Sequence, residues 1–187
     1  MSGQGHSIVA AADGAGSLGL PSGIVLVVPY DDAWPALFER EATRLRPIFE
    51  AHGVSHRIEH MGSTAVPGLA AKPILDILAG RPADARDAAI AALREAGYTY
   101  RGEQGIPGRD FFRRGDPRAY HVHLADIDGA FWKDHLAFRD YLRSHADAAA
   151  AYAALKHELA ARYPNERAAY IDGKTTFVEV VLAKVRS

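Results

Sequence analysis

A carboxylate set inside an apolar strand constrains this chain more than any other feature. Asp76 lies in Ile74-Leu75-Asp76-Ile77-Leu78, and an ionised side chain among such neighbours needs a metal ion, a hydrogen-bond donor or a cation beside it. The residues before it read as a strand at Ile58-Glu59-His60-Met61, a Gly62-Ser63-Thr64 turn, and a loop carrying Pro67, Gly68 and Lys72. Gly62 allows close approach of the backbone, and Ser63 offers a hydroxyl and an N–H, a combination that suits phosphate. On its own a Gly-Ser turn is more often just a tight turn between two strands.

The rest of the chain supplies the frame. Ile24-Val25-Leu26-Val27-Val28 reads as a first strand stopped by Pro29. Asp31 or Asp32 caps a helix with Trp34, Leu37, Phe38, Leu45, Ile48 and Phe49 on one face. Asp84 caps a second helix, which carries Ile90 and Leu93 and ends at Gly97. A strand starts at Tyr98, a glycine-rich loop runs from Arg101 to Arg109, and strands 110–114 and 120–124 form a hairpin around Gly115-Asp116-Pro117. From Phe131 the periodicity is helical, with a capping box expected at Ser144 to Asp147, a further cap at Asn165, and a last helix through Val178, Val181, Leu182 and Val185. The expected architecture is α+β: a mixed sheet of about four or five strands, flanking helices and a helical C-terminal third. Residues 1–22 read as a flexible tail and 23–187 as one domain.

Composition narrows the function classes. With 22 basic and 23 acidic residues the net charge is -1, so nothing global drives the chain to nucleic acid or an anionic membrane, and any phosphate must meet a local cluster. No apolar run is long enough for a bilayer. The absence of cysteine excludes disulfides and thiolate sites and fits a cytoplasmic protein. His121 and His123 alternate along one strand and so face one side, where they can reach a common point. If their strand neighbours that of Asp76, an Asp-His-His site for zinc or manganese, or for proton transfer, becomes possible. The ordinary alternative is a pair of hydrogen-bonded or solvent-facing histidines. Lys72, Arg113, Arg139 and Lys174 are candidate anion ligands, although Arg139, set among Trp132, Leu136 and Leu142, also suits a structural ion pair.

Together these segments resemble the GrpB family (UPF0157), which is grouped by fold with polymerase-β-like nucleotidyltransferases. The resemblance is carried by Val28-Pro29-Tyr30-Asp31 with Trp34, His60 to Leu69, Lys72 to Ile77, His121-Val122-His123, Phe138 to Arg143, Tyr152 to Lys156, and Asp172-Gly173-Lys174 leading to Phe177, over about residues 24 to 185. It implies a nucleotidyltransferase-like fold in which Gly62, Ser63 and Thr64 meet phosphate and Asp76 is the first carboxylate of an Asp-x-Asp pair. Lys174 resembles a C-terminal lysine that contacts triphosphate, and a divalent metal (magnesium or manganese, with zinc as the alternative) would be held by Asp76, His121 and His123. The pair is broken, because Leu78 stands at its second position; two-metal transfer needs several oxygen ligands bridging ions about 3.5–4 Å apart. Three readings follow. One is a transferase acting on a nucleotide or another phosphorylated small molecule. Another is a non-catalytic nucleotide-binding accessory module, a role suggested by family members fused to dephospho-CoA kinase. The third is a metal-dependent ligase or hydrolase built on the His-x-His strand.

Overall fold

The computed structural model describes residues 18–186. Five strands form one mixed sheet: β1 (Arg57–Met61), β2 (Leu75–Arg81), β3 (Thr99–Tyr100), β4 (Asp110–Arg114) and β5 (Tyr120–Asp126). Their spatial order is β1-β2-β5-β4-β3. Only β2 and β5 run parallel, while β1–β2, β4–β5 and β3–β4 are antiparallel. Six helices accompany them: α1 (Trp34–Ala51), α2 (Arg86–Glu95), α3 (Ala130–Ser144), α4 (Ala146–Arg162), α5 (Arg167–Asp172) and α6 (Thr175–Arg186).

The alternation of side chains along each strand separates the two faces of the sheet. Ile77, Ala79, Val122, Leu124 and Phe112 turn to one face and pack on Leu45 and Phe49 of α1 and on Ala89 and Leu93 of α2. Leu78, Met61 and Ala125 turn to the other and pack on Trp132 of α3. The C-terminal helices extend this second layer. Leu142 and Tyr152 close on Val66 and Leu69 of the loop before β2, and Leu159 and Tyr170 close on Val25.

Several expectations need correction. The apolar run 24–28 is not a strand of the sheet: only Val28 pairs, exchanging hydrogen bonds of 2.9 and 3.0 Å with Ala71. Its alternation instead buries Val25 against α4 and α5 and leaves Ile24 and Leu26 exposed, and Val25 N–H donates to Pro164 O at 2.8 Å. Of the supposed tail, residues 1–17 lie outside the described residues, whereas Leu20 is buried and its N–H donates to Arg118 O at 3.0 Å. The expected caps also differ. Ser144 Oγ bonds back to Asp140 O (2.9 Å), so it cannot cap α4, which starts after His145. A short 3₁₀ turn, Ala83–Ala85, leads into α2 and leaves Asp84 without a capping bond, and Glu166 rather than Asn165 precedes α5. Asp31 does serve the start of α1, accepting from Ala33 N–H at 2.9 Å.

Gly80 sets how closely α3 lies on the sheet. A Cβ there would fall 2.5 Å from Trp132 Cζ3 and 2.6 Å from Ile127 Cγ1, and the Trp132 ring is itself 2 % exposed. Neither neighbour can yield without moving α3 or the turn before it. Gly80→Ala should therefore lower stability by about 1–3 kcal/mol through overpacking, read as a lower urea midpoint with an unchanged slope. A midpoint at or above that of the unaltered chain would show that α3 is not held at this distance by the glycine.

Candidate functional site

The parallel pairing of β2 with β5 puts Asp76 directly across from His121 and Leu78 across from His123. Asp76, His121, Leu78 and His123 consequently share the face turned toward α3. His121 Nδ1 lies 3.1 Å and His123 Nε2 3.4 Å from the same oxygen, Asp76 Oδ1. Burial alone would raise the Asp76 carboxyl, but the N–H groups of the two imidazoles outweigh it and hold it well below the usual carboxylate range. Burial pushes His121 down, against the pull of Asp76. A neutral His121 that donates from Nδ1 keeps its lone pair on Nε2, and that nitrogen is buried with no partner, as is His123 Nδ1. The arrangement is an oriented carboxylate–imidazole dyad with a vacant acceptor.

The turn after β1 completes this end of the sheet. Gly62 has φ +71°, and a Cβ on it would sit 2.9 Å from Asp76 Oδ2, so both the backbone angle and the carboxylate require glycine here. Ser63 opens a 3₁₀ turn, Ser63–Ala65, on the cavity wall. The Thr64 hydroxyl is engaged by His60 Nε2 at 3.0 Å. His60 stacks on Phe38 and is buried, which lowers it to about 4 and keeps it neutral.

Gly62, Ser63, Thr64, Asp76, His121 and His123 line a cavity of about 350 Å³. The 101–109 loop adds Gln104, Ile106 and Arg109 to it, α4 adds Tyr152 and Lys156, and the α5–α6 region adds Arg167, Tyr170, Ile171 and Lys174. Lys156 is 2 % exposed; its ammonium donates to Ala70 O and lies 4.8 Å from the Tyr152 ring centre. Lys174 and Lys72 lie 4.6 and 5.4 Å from the Tyr170 ring centre. Burial, then repulsion from the neighbouring lysines, lowers Lys156 to about 7 and Lys174 to about 8, and Lys72 is lowered by burial and by repulsion from Arg167, Arg118 and Arg113, against the pull of Asp76.

Of the residues singled out from sequence, Gly62, Ser63, Thr64, Lys72, Asp76, His121, His123 and Lys174 come together around this cavity. Arg113 lies beside it, across β4 from His121, with its guanidinium 5.3 Å from the Phe111 ring centre. Arg139 does not reach it. Its guanidinium is spent on Glu59 (2.9 Å), Asp140 (2.7 Å) and the His60 carbonyl (2.9 Å), which pins α3 to β1. Lys156, Arg109 and Arg167 were missed. For Lys156 a signal exists, since it interrupts the apolar face of Tyr152, Leu155 and Leu159; Arg109 and Arg167 follow no periodicity. Asp76 and the two histidines meet as hydrogen-bond partners, and no group of three or more His, Asp or Glu among the described residues is disposed to hold a metal ion. No helix among them is long and apolar enough to cross a membrane.

The profile of the GrpB protein family matches residues 24–184. A UPF0157 protein of Pseudomonas aeruginosa is 43% identical over 164 residues, 84% of this chain and 66% of its own length. The UPF0157 protein YqkA of Bacillus subtilis is 38% identical over 161 residues, 85% of this chain and 46% of its own length. The chain thus spans about half to two thirds of these two relatives. The crystal structure of the conserved protein GrpB from Enterococcus faecalis superposes with a TM-score of 0.76 at 36% identity, covering 86% of this chain and 96% of that one.

Two of the cavity lysines make stability depend on pH in a definite sense. Folding lowers Lys156 and Lys174 from 10.5 to about 7 and about 8, so between those values and 10.5 the unfolded chain binds more protons and stability rises with pH. The melting temperature should climb by several degrees between pH 7 and pH 9.5, and the rise should shrink in Lys156→Met. Equal slopes in the two proteins would mean that Lys156 is charged and solvated in the fold.

Proposed function

The chain belongs to the GrpB family, and from that premise we propose that it is a nucleotidyltransferase-like enzyme. In this reading the cavity binds a nucleotide or another phosphorylated small molecule and transfers a nucleotidyl or related group to a small acceptor. One observation carries the reading: Lys72, Arg109, Lys156, Arg167 and Lys174 surround the Gly62-Ser63 turn and the Asp76–His121 dyad in a single cavity. Such a surplus of positive charge, partly withdrawn from water, suits a phosphate chain. Ile106 and Ile171, 38 % and 37 % exposed at the same cavity, offer apolar surface to a base.

The proton of an acceptor hydroxyl passes to the Asp76–His121 pair, whose carboxylate lines the cavity and holds the imidazole through Nδ1. The oxygen so freed forms a bond to phosphorus as the P–O bond to the leaving phosphate breaks, and the lysines and arginines receive the charge that develops on the leaving group. A non-catalytic nucleotide-binding module is the second reading, favoured by Leu78 in place of a second carboxylate. The His-x-His ligase or hydrolase gains no support, because both imidazoles turn onto Asp76. A cysteine-free chain suits the cytoplasm, where we propose it acts.

The reading is checked by pyrophosphate release from each of the four common nucleoside triphosphates in the presence of a small-molecule extract as acceptor source. Asp76→Asn, which leaves His121 without its carboxylate, should lose about 10²–10⁴-fold in rate, the usual worth of general-base catalysis. Nucleotide binding without pyrophosphate release from any of the four would leave the binding-module reading in place of the transferase.

A further inference from the structure

Sites that transfer groups from a triphosphate commonly meet its charge with magnesium held on oxygen ligands. This cavity has one acidic residue on its lining among the described residues, Asp76. Its Oδ1 already accepts from His121 and His123 at 3.1 and 3.4 Å. Leu78, at the position where a second carboxylate would stand, is fully buried and packs with Met61, Ala125 and Trp132. The donor set therefore does not fit a two-magnesium site.

The same walls carry five cations, and among the described residues none of the three lysines makes a close ion pair with a carboxylate, Asp76 acting on Lys72 and Lys174 only at longer range. Aromatic faces hold them instead: Lys72 and Lys174 lie 5.4 and 4.6 Å from the Tyr170 ring centre, and Lys156 lies 4.8 Å from that of Tyr152. Cations elsewhere in the fold are handled differently. Arg139 pairs with Glu59 and Asp140, Arg86 with Asp110, and Arg44 and Arg114 with Glu41. With one acid, Asp76, against five cations, the cluster leaves most of its charge to be balanced by what enters the cavity.

We propose that this site binds the phosphate chain of its ligand as a metal-free polyanion, with Lys72, Lys156 and Lys174 standing in for the ions that magnesium-dependent transferases use. The proposal rests on the phosphate-ligand reading above and narrows it to a ligand such as an uncomplexed nucleoside triphosphate, which carries roughly four negative charges. Magnesium complexation cancels part of that charge and brings a cation among these ammonium groups, so it weakens binding. Because burial leaves Lys156 only partly protonated near neutral pH and Lys174 so at slightly higher pH, entry of the anion also draws protons into the cavity.

The test is titration calorimetry of the full chain with ATP and with inorganic tripolyphosphate, each in EDTA and in excess magnesium. Binding in EDTA should be at least about fivefold tighter than in magnesium, and Lys174→Met and Lys156→Met should each weaken it by about tenfold or more, the usual loss for one charged hydrogen bond. Circular dichroism of both variants checks folding, and the more peripheral Lys174→Met keeps the test decisive if Lys156→Met unfolds. Binding that requires magnesium would overturn the metal-free site while leaving the phosphate-ligand reading intact. Absence of binding in both buffers would remove both.

Discussion

An ionised carboxylate in an apolar strand must be compensated where it stands, and the site is built around that requirement at Asp76. Withdrawing such a charge even partly from water is costly, and two imidazole nitrogens at 3.1 and 3.4 Å offset that cost for a carboxylate still 30 % exposed. They reach it only because β2 and β5 are neighbours and parallel, in the register that sets Asp76 against His121 and Leu78 against His123. A slip of one residue would turn both histidines to the opposite face, into the α1–α2 core. The register is thus fixed twice, by the apolar residues on the far face and by the polar contacts on the near one. Gly62 belongs to the same constraint, since any side chain there would press on the Asp76 carboxylate.

How much of this was legible depends on the distance over which the information acts. That Asp76 needed a partner followed from its immediate neighbours, and that His121 and His123 faced one way followed from strand geometry. That they face Asp76 did not follow, because the pairing joins segments 45 residues apart and rests on strand order. Helix α1 was readable from its apolar face and Asp31, and the hairpin of β4 and β5 from alternation about a turn. The run 24–28 shows local preference giving way: its residues have strand propensity, but Val25 is buried against Leu159 of α4 and Tyr170 of α5 instead of in the sheet. Caps failed for a similar reason. Ser144 found carbonyl acceptors within α3, which removed it from the start of α4.

The cations divide by what surrounds them, and this division could not be read from their spacing. In the sequence Arg139 favours a structural ion pair over a ligand role, and the fold uses it as a strut between α3 and β1, with Glu59, Asp140 and the His60 carbonyl taking its donors. Arg114 and Arg44 similarly converge on the buried Glu41, which also accepts from Tyr98 OH at 2.9 Å. Each of these arginines is neutralised in place, and removing a partner would strand a charge within the packing. The cavity lysines have aromatic faces, for Lys156 one backbone carbonyl, and Asp76 only at longer range. The fold thus sets closed ion pairs that hold layers together against an open cavity cluster whose five cations outnumber its one acid.

The choice of lysine for much of that open cluster has a physical consequence. Guanidinium groups stay protonated at any relevant pH, so five arginines packed around one cavity would repel one another permanently. An amine can shed its proton instead, and burial lowers Lys156 to about 7 and Lys174 to about 8. The empty cavity thereby limits its own repulsion, and an entering anion restores the charge that binds it. Lys156 and Lys174 sit on α4 and at the start of α6, whereas the turn and the dyad belong to β1, β2 and β5. The same closure that buries Tyr152 against Val66 and Leu69 brings the two halves together, so the anion site exists only while the C-terminal helices are docked on the sheet.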